Sequence, residues 1–158
     1  MRYFDRLIGA VSDGASYLYI PVFAVSFAEV ISRYVFHTPT TWVLELTVTL
    51  AGIQYCIGGV DAQQKGKHIR IDSLYNLFPP RMRAILDIFA LLFTACFLLI
   101  LVYWGWKQAW PSVLMLESSG SAWNSRQPAI LKAIIPVAAG LMFIQIVIAL
   151  IGRLTGRP

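Results

Sequence analysis

The sequence has few charged residues, and this scarcity argues against a soluble globular domain. Asp, Glu, Lys and Arg make up 13% of its 158 residues, whereas hydrophobic residues make up 58%. Soluble domains carry about 25% charged residues. The composition therefore indicates a protein of the lipid bilayer, with no room for a separate catalytic domain.

Catalytic and metal-binding motifs are also missing. The sequence has no phosphate-binding P-loop, no GxSxG or HExxH motif and no cysteine pair at zinc spacing. Its two histidines, His37 and His68, fall on opposite sides of the predicted membrane, too far apart to hold one haem. We therefore predict that the chain is not an enzyme, that it has no metal site or cofactor, and that it binds no nucleic acid.

Four long apolar runs account for the composition, at about residues 16–36, 41–60, 84–106 and 129–151. Each is close to the roughly 20 residues that a helix needs to cross the hydrocarbon core. The runs are apolar on every face, which fits helices and not the alternating strands of a barrel. We predict an all-α integral membrane protein, a single domain over residues 1–158 with four transmembrane helices.

The positive charges indicate the orientation of these spans. Nine of the thirteen Lys and Arg residues lie in the N-terminal tail, the loop at 61–83 and the C-terminal tail, which share one side of a four-span chain. By the positive-inside rule this side is the cytoplasm. We therefore predict cytoplasmic termini, a cytoplasmic loop at 61–83 and an outer, periplasmic segment at 107–128. All five tryptophans map to the outer side, as an interfacial belt would, and Trp42 is a predicted contact to lipid or to a partner.

Three charged residues, Glu29, Arg33 and Glu45, interrupt the first two apolar runs. A charge at the centre of a membrane helix costs about 2.5 kcal/mol or more, so it normally faces protein or an opposite charge. Arg33 and Glu45 fall at similar depth in adjacent antiparallel spans, which predicts an ion pair between them, with Glu29 one layer deeper. We favour a structural clamp over a proton or substrate relay. Pro21 is expected to kink span one, and Lys132 to extend freely from span four to the interface.

Basic residues cluster in the loop after span two, where they suit anionic headgroups or a protein partner; they are Lys65, Lys67, His68 and Arg70. Apolar residues then recur at helical spacing over residues 71–78 and end at a Pro-Pro pair. This pattern predicts an interfacial helix between the second and third spans.

Several short motifs, in this order and spacing, resemble a known family. They are Arg33 with Phe36, the Trp42-x-x-Glu45 opening of span two, the run from His68 to Asp72, and LFPPRMR from Leu77 to Arg83. Together with four spans and this length, they resemble the small membrane subunit of tripartite ATP-independent periplasmic (TRAP) transporters. The resemblance extends over nearly the whole chain.

The resemblance implies a multi-pass protein of the bacterial inner membrane that pairs with a large subunit. That subunit would carry the substrate and sodium sites, and a periplasmic binding protein would deliver an organic acid. The small subunit would be part of the static scaffold. The resemblance also implies that the outer segment helps dock the binding protein; the candidate residues there are Trp110, Glu117, Trp123 and Arg126.

Two other classes of protein remain open on the residues alone. One is a self-sufficient exporter that works as a homodimer and exchanges protons at Glu29, although Arg33 one turn away argues against exchange. The other is a membrane anchor of a respiratory enzyme, which the missing histidine ligands disfavour.

Overall fold

The computed structural model describes residues 2–65 and 78–154, with side chains described for residues 8–65 and 78–152. In this part of the chain all regular structure is helical, as predicted. The five helices are α1 (Arg2–Ser16), α2 (Tyr19–Tyr34), α3 (Val43–Gln64), α4 (Pro80–Leu114) and α5 (Gln127–Leu154). Four segments are long and apolar enough to cross a membrane: Ile8–Tyr34, Val43–Gln64, Pro80–Leu114 and Gln127–Gly152. The predicted interfacial helix at 71–78 lies, apart from its last residue, outside the described residues.

The first span is a helix broken in two, and Pro21 explains the break. Proline has no N–H, so it cannot donate to the carbonyl of Tyr17 four residues earlier. The Ile20 N–H donates to that carbonyl instead, at 3.2 Å, and Leu18 N–H donates to the Ala15 carbonyl at 3.0 Å. Both hydrogen bonds join residues three apart, as in a 3₁₀-helix, so the connection between α1 and α2 is wound more tightly than an α-helix. The helix is therefore interrupted in the turn before Pro21, where the sequence predicted a kink.

Helix α4 is much longer than the predicted third span. Its 35 residues extend about 52 Å, whereas the hydrocarbon core is about 30 Å thick. It ends in a Schellman turn, in which Leu116 N–H donates to the Val113 carbonyl and Glu117 N–H to the Ser112 carbonyl. Leu116 takes the left-handed φ of 49° that this turn requires.

The core lies between α4 and α5, and α5 also packs against α3. Ile146 is fully buried, beside Leu98 and Ala139. Small residues allow this close approach: a Cβ atom added to Gly105 of α4 would lie 3.1 Å from Pro136 Cβ of α5. Helices α1 and α2 pack against α3. The bundle therefore has α3 and α5 at its centre.

Candidate functional site

We name the end of the bundle that holds residues 35–42 and 115–126 the outer end, after the predicted orientation. Glu45 anchors one of its loops. It lies in the first turn of α3, and its side chain is only 6% exposed. Its carboxylate accepts a hydrogen bond from Ser119 Oγ at 2.9 Å, from Ser125 N–H at 3.1 Å and from the Ser125 hydroxyl. The N-terminal position also suits a negative charge, because the helix dipole is positive there.

The segment that reaches Glu45 is a closed turn. Ser119 N–H donates to the Ser125 carbonyl at 2.9 Å, and Gly120 N–H donates to Asn124 Oδ1 at 3.2 Å. Gly120 and Asn124 have φ values of 69° and 53°, a region that glycine and asparagine adopt more readily than other residues. The turn therefore presents both serines to one carboxylate.

Glu29 anchors the other outer loop. Its Oε1 accepts from Arg33 Nη2 at 2.8 Å and Nε at 3.2 Å, one turn away on α2. Its Oε2 accepts from the Thr40 N–H at 3.2 Å and from the Thr40 hydroxyl. The Glu29 carboxylate thus joins the C-terminal part of α2 to the loop that connects α2 with α3.

The predicted ion pair between Arg33 and Glu45 is not the arrangement in the structure. Arg33 binds Glu29, and Glu45 binds Ser119 and Ser125. Arg33 and Glu29 are four residues apart on the same helix face, so they can pair without the correct placement of a neighbouring helix, which a pair between Arg33 and Glu45 would require. Glu45 faces the loop between α4 and α5, which lies 74 to 80 residues later in the chain and which the depth argument did not consider.

Glu117 forms a third cluster, between the end of α4 and the start of α5. Lys132 Nζ lies 2.6 Å from its Oε2 and 2.8 Å from its Oε1, and the Ser112 hydroxyl also donates to it. The Lys132 ammonium, and after it the Ser112 hydroxyl, hold the pKa of the Glu117 carboxyl below its ordinary value. Lys132 is therefore paired, and the expectation that it extends freely to the interface was wrong.

Comparison with known proteins decides the family. Residues 22–156 match the family model described as "Tripartite ATP-independent periplasmic transporters, DctQ component". The chain belongs to this family. The resemblance noted from the motifs is thereby confirmed, and with it the class of the protein, a TRAP transporter small permease with transmembrane helices.

Two curated relatives of this DctQ-family chain are named as TRAP permeases. It is 36% identical over 85 residues to the sialic acid TRAP transporter permease protein SiaT of Haemophilus influenzae, a match that covers 52% of this chain and 14% of the relative. It is 31% identical over 100 residues to the C4-dicarboxylate TRAP transporter small permease protein DctQ of Vibrio cholerae, covering 63% of this chain and 37% of the relative. The matches thus span well under half the length of either relative.

The other predicted contact residues of this DctQ-family chain lie at both ends of the bundle. Trp42, Trp110, Trp123 and Arg126 are exposed at the outer end. At the other end Lys65 is exposed and bonds Asp61 Oδ2 at 2.7 Å, which raises the pKa of the Lys65 ammonium. Lys67, His68 and Arg70 lie outside the described residues.

Sequence reasoning found the three carboxylates but missed their hydroxyl partners, which are Thr40, Ser112, Ser119 and Ser125. The signal for two of them was the Ser-Gly-rich run around Ser119, which sequence analysis treats as an ordinary loop. Among the described residues, no group of three or more His, Cys, Asp or Glu side chains could hold a metal ion. The role that this arrangement supports is structural: each carboxylate cluster links a helix to an outer loop through hydrogen bonds.

Proposed function

We propose that this chain is a static membrane scaffold for the large, sodium-coupled subunit of a TRAP transporter for an organic acid. The observation that carries the proposal is that the acidic side chains at the outer end are occupied by hydrogen bonds within this chain. Glu29, Glu45 and Glu117 each accept hydrogen bonds from at least two groups of this chain. A carboxylate that accepts several hydrogen bonds from its own chain fixes helices and loops relative to one another. This suits a rigid scaffold, whereas the carboxylate of a carrier has to exchange its partners during transport.

The exposed apolar surface supports a role beside another membrane protein. In the four candidate spans, between 0% and 22% of the most hydrophobic window is buried inside the chain. The rest of this surface contacts either lipid tails or a partner. In the SiaT relative the matched segment makes up 14% of the protein, so there a comparable segment is covalently joined to a much larger permease. This arrangement favours a large membrane partner for the present chain.

The substrate class follows only from the relatives. Their names give sialic acid and C4-dicarboxylates, which are both carboxylic acids. We propose an organic acid as the transported substrate, bound by the large subunit and delivered by a periplasmic binding protein. Trp110 and Trp123 are the residues of this chain that we assign to docking that protein, because both are exposed at the outer end. The chain would lie in the bacterial inner membrane with both termini in the cytoplasm.

Affinity purification in mild detergent tests the pairing. The tagged chain is purified from its native membranes, and the bound proteins are identified and quantified by mass spectrometry. We expect one large polytopic TRAP subunit per copy of this chain, and the reciprocal purification through the large subunit should return the same ratio. A homodimer without a large subunit would contradict the proposal and favour the exporter.

Transport measured with Glu29→Gln separates the scaffold from a proton-exchanging carrier. Reconstituted with the large subunit and the binding protein, the variant should retain most organic-acid uptake, because an amide of the same shape still packs beside Thr40 and Arg33. The exporter reading requires a titrating carboxylate at this position. Complete loss of uptake with normal assembly would therefore contradict the scaffold role of Glu29.

A further inference from the structure

An apolar groove runs along the first half of α5 and meets the end of α4. Its volume is about 560 Å³, and it is bounded by Val113 and Leu116 on the α4 side and by Ala129 and Ala133 on α5. Alanine carries only a methyl group, so the groove is open where a larger side chain would fill it. Val137 lies at its deep end, and Arg126 lines it at the opposite, outer end.

The length of the groove matches one leaflet of a bilayer. The residues from 126 to 137 correspond to a rise of about 16 Å along a helix. The hydrocarbon core of a bilayer is about 30 Å thick, so one leaflet contributes about half of that. A groove of this depth, apolar along its length, fits a single extended acyl chain.

The charge at the outer end of the groove is positive. Arg126 is exposed, and no ion pair to it is found among the residues that the structure describes. The nearby carboxylates have other partners: Glu117 binds Lys132, and Glu45 binds the two serines. Helix α5 begins at Gln127, directly after Arg126, so the partial positive charge of the helix N-terminus lies at the same level.

We propose that the groove binds one acyl chain of a phospholipid from the leaflet at the outer end, with the lipid phosphate paired to Arg126. The guanidinium group matches a phosphate in geometry and charge. Exposed tryptophans place Arg126 at headgroup level: Trp110 lies one turn before Val113 on α4, and Trp123 lies three residues before Arg126.

Photolabelling of the full-length chain in nanodiscs tests the site. The nanodiscs contain phosphatidylglycerol with a trace of phosphatidylglycerol that carries a diazirine in one acyl chain, and adducts are mapped by peptide mass spectrometry. We expect labelling of residues 113–116 and 129–137 above that of the exposed α4 surface at Phe93 and Phe97, which serves as the internal reference for annular lipid.

Two substitutions separate the headgroup contact from general attraction. Arg126→Gln should lower groove labelling about fivefold, the effect expected for one cation beside an anionic headgroup. Lys107→Gln is the matched control, because Lys107 is a cation at the same end but lies over the Trp104 ring, 4.9 Å from its centroid. This variant should leave groove labelling unchanged. A diacylglycerol probe with the same diazirine chain and no phosphate should label the groove weakly in all variants.

Ala133→Phe tests the groove itself, since a phenyl ring should displace the acyl chain while Arg126 remains. In the unmodified chain, groove labelling no stronger than that of the α4 reference surface would overturn the proposal, and so would groove labelling that Arg126→Gln does not change. In Ala133→Phe, groove labelling should fall to the reference level, and undiminished labelling would also overturn the proposal. Shielding of the groove by a co-purified membrane subunit, detected as protein cross-links to residues 129–137, would assign it to a protein and also overturn the lipid site. If Ala133→Phe does not elute as a folded species, the comparison of groove labelling between Arg126→Gln and Lys107→Gln is sufficient to test the proposal.

Discussion

Glu45 shows how one carboxylate can hold two distant parts of the chain together. It lies at the start of α3, and its partners Ser119 and Ser125 follow 74 and 80 residues later. Charged acceptors give stronger hydrogen bonds than neutral ones, and a buried donor that loses its acceptor is costly. The closed turn at residues 119–125 therefore depends on this side chain.

We predict that Glu45→Ala releases the outer loop. The two serine hydroxyls and the Ser125 N–H lose their acceptor, so the thermal midpoint of the purified chain should fall by about 4 °C or more, and proteolysis should become faster within residues 117–126. Ser118→Ala is the control in the same loop, where Ser118 is exposed, and its midpoint should stay within about 1 °C. Equal midpoints for both variants would contradict the anchoring role of Glu45.

The pair of Glu117 and Lys132 predicts a specific pH dependence. The folded pKa of Glu117 is below its ordinary value of 4.5, so its contribution to stability is present above pH 4.5 and is lost as the pH falls through the lowered folded value. Both side chains are partly exposed, so we expect a small contribution. Lys132→Gln should lower the midpoint slightly at pH 7.

The comparison of the two proteins across pH is the decisive measurement. The difference in midpoint between the unmodified chain and Lys132→Gln should be constant at neutral pH and should shrink below pH 4.5. A difference that stays the same down to pH 3 would show that Lys132 acts by packing and not through the Glu117 charge.

At the scale of the elements, the sequence was enough to predict four helices but not their ends. A run of about 20 apolar residues has to be helical in a bilayer, because every backbone polar group needs an internal partner there. No such rule fixes where α4 stops. Its end depends on the Schellman turn at Leu116 and on the contacts of Glu117, and both residues lie outside the four long apolar runs.

The hydrogen-bonding partners of the carboxylates could not be predicted from the sequence either. The carboxylates could be named as unusual because charge inside an apolar run is costly. Residue counting placed Arg33 and Glu45 at one depth, but depth does not fix which side of a helix a residue occupies relative to a third segment. The groove at α5 was missed for the same reason: its two walls come from helices whose contact only the folded bundle defines.

The crossing of α4 and α5 gives a prediction at this scale. A Cβ atom on Gly105 would lie 3.1 Å from Pro136 Cβ, whereas one on Gly58 of α3 would have no neighbour within 4 Å. Overpacking a close contact costs about 1–3 kcal/mol, so Gly105→Leu should lower the thermal midpoint by roughly 3–10 °C. Gly58→Leu is the matched control and should change it little; a larger loss at Gly58 would contradict the packing described for α4 and α5.

On the scale of the whole molecule, the described part of the chain buries little of its apolar surface within itself. Large side chains such as Phe23, Phe93 and Ile144 are at least half exposed, although they lie in the membrane spans. In water this would drive aggregation, but lipid tails are as apolar as these side chains and exert no such force. The chain therefore has the surface of a membrane component that is completed by lipid and, in our proposal, by a larger subunit.

The orientation of the whole molecule is testable with single cysteines. Cys56 and Cys96 are first replaced by Ala; Ser118→Cys then reports on the outer end and Gln64→Cys on the opposite end. Nine of the thirteen Lys and Arg residues lie in the N-terminal tail, the loop at 61–83 and the C-terminal tail, so the positive-inside rule predicts that the Gln64 end is cytoplasmic. An impermeant maleimide should therefore label Ser118→Cys in intact cells and Gln64→Cys only after permeabilisation. Labelling of both in detergent controls for thiol reactivity, and the reverse pattern in cells would move Arg126 and its groove to the cytoplasmic leaflet.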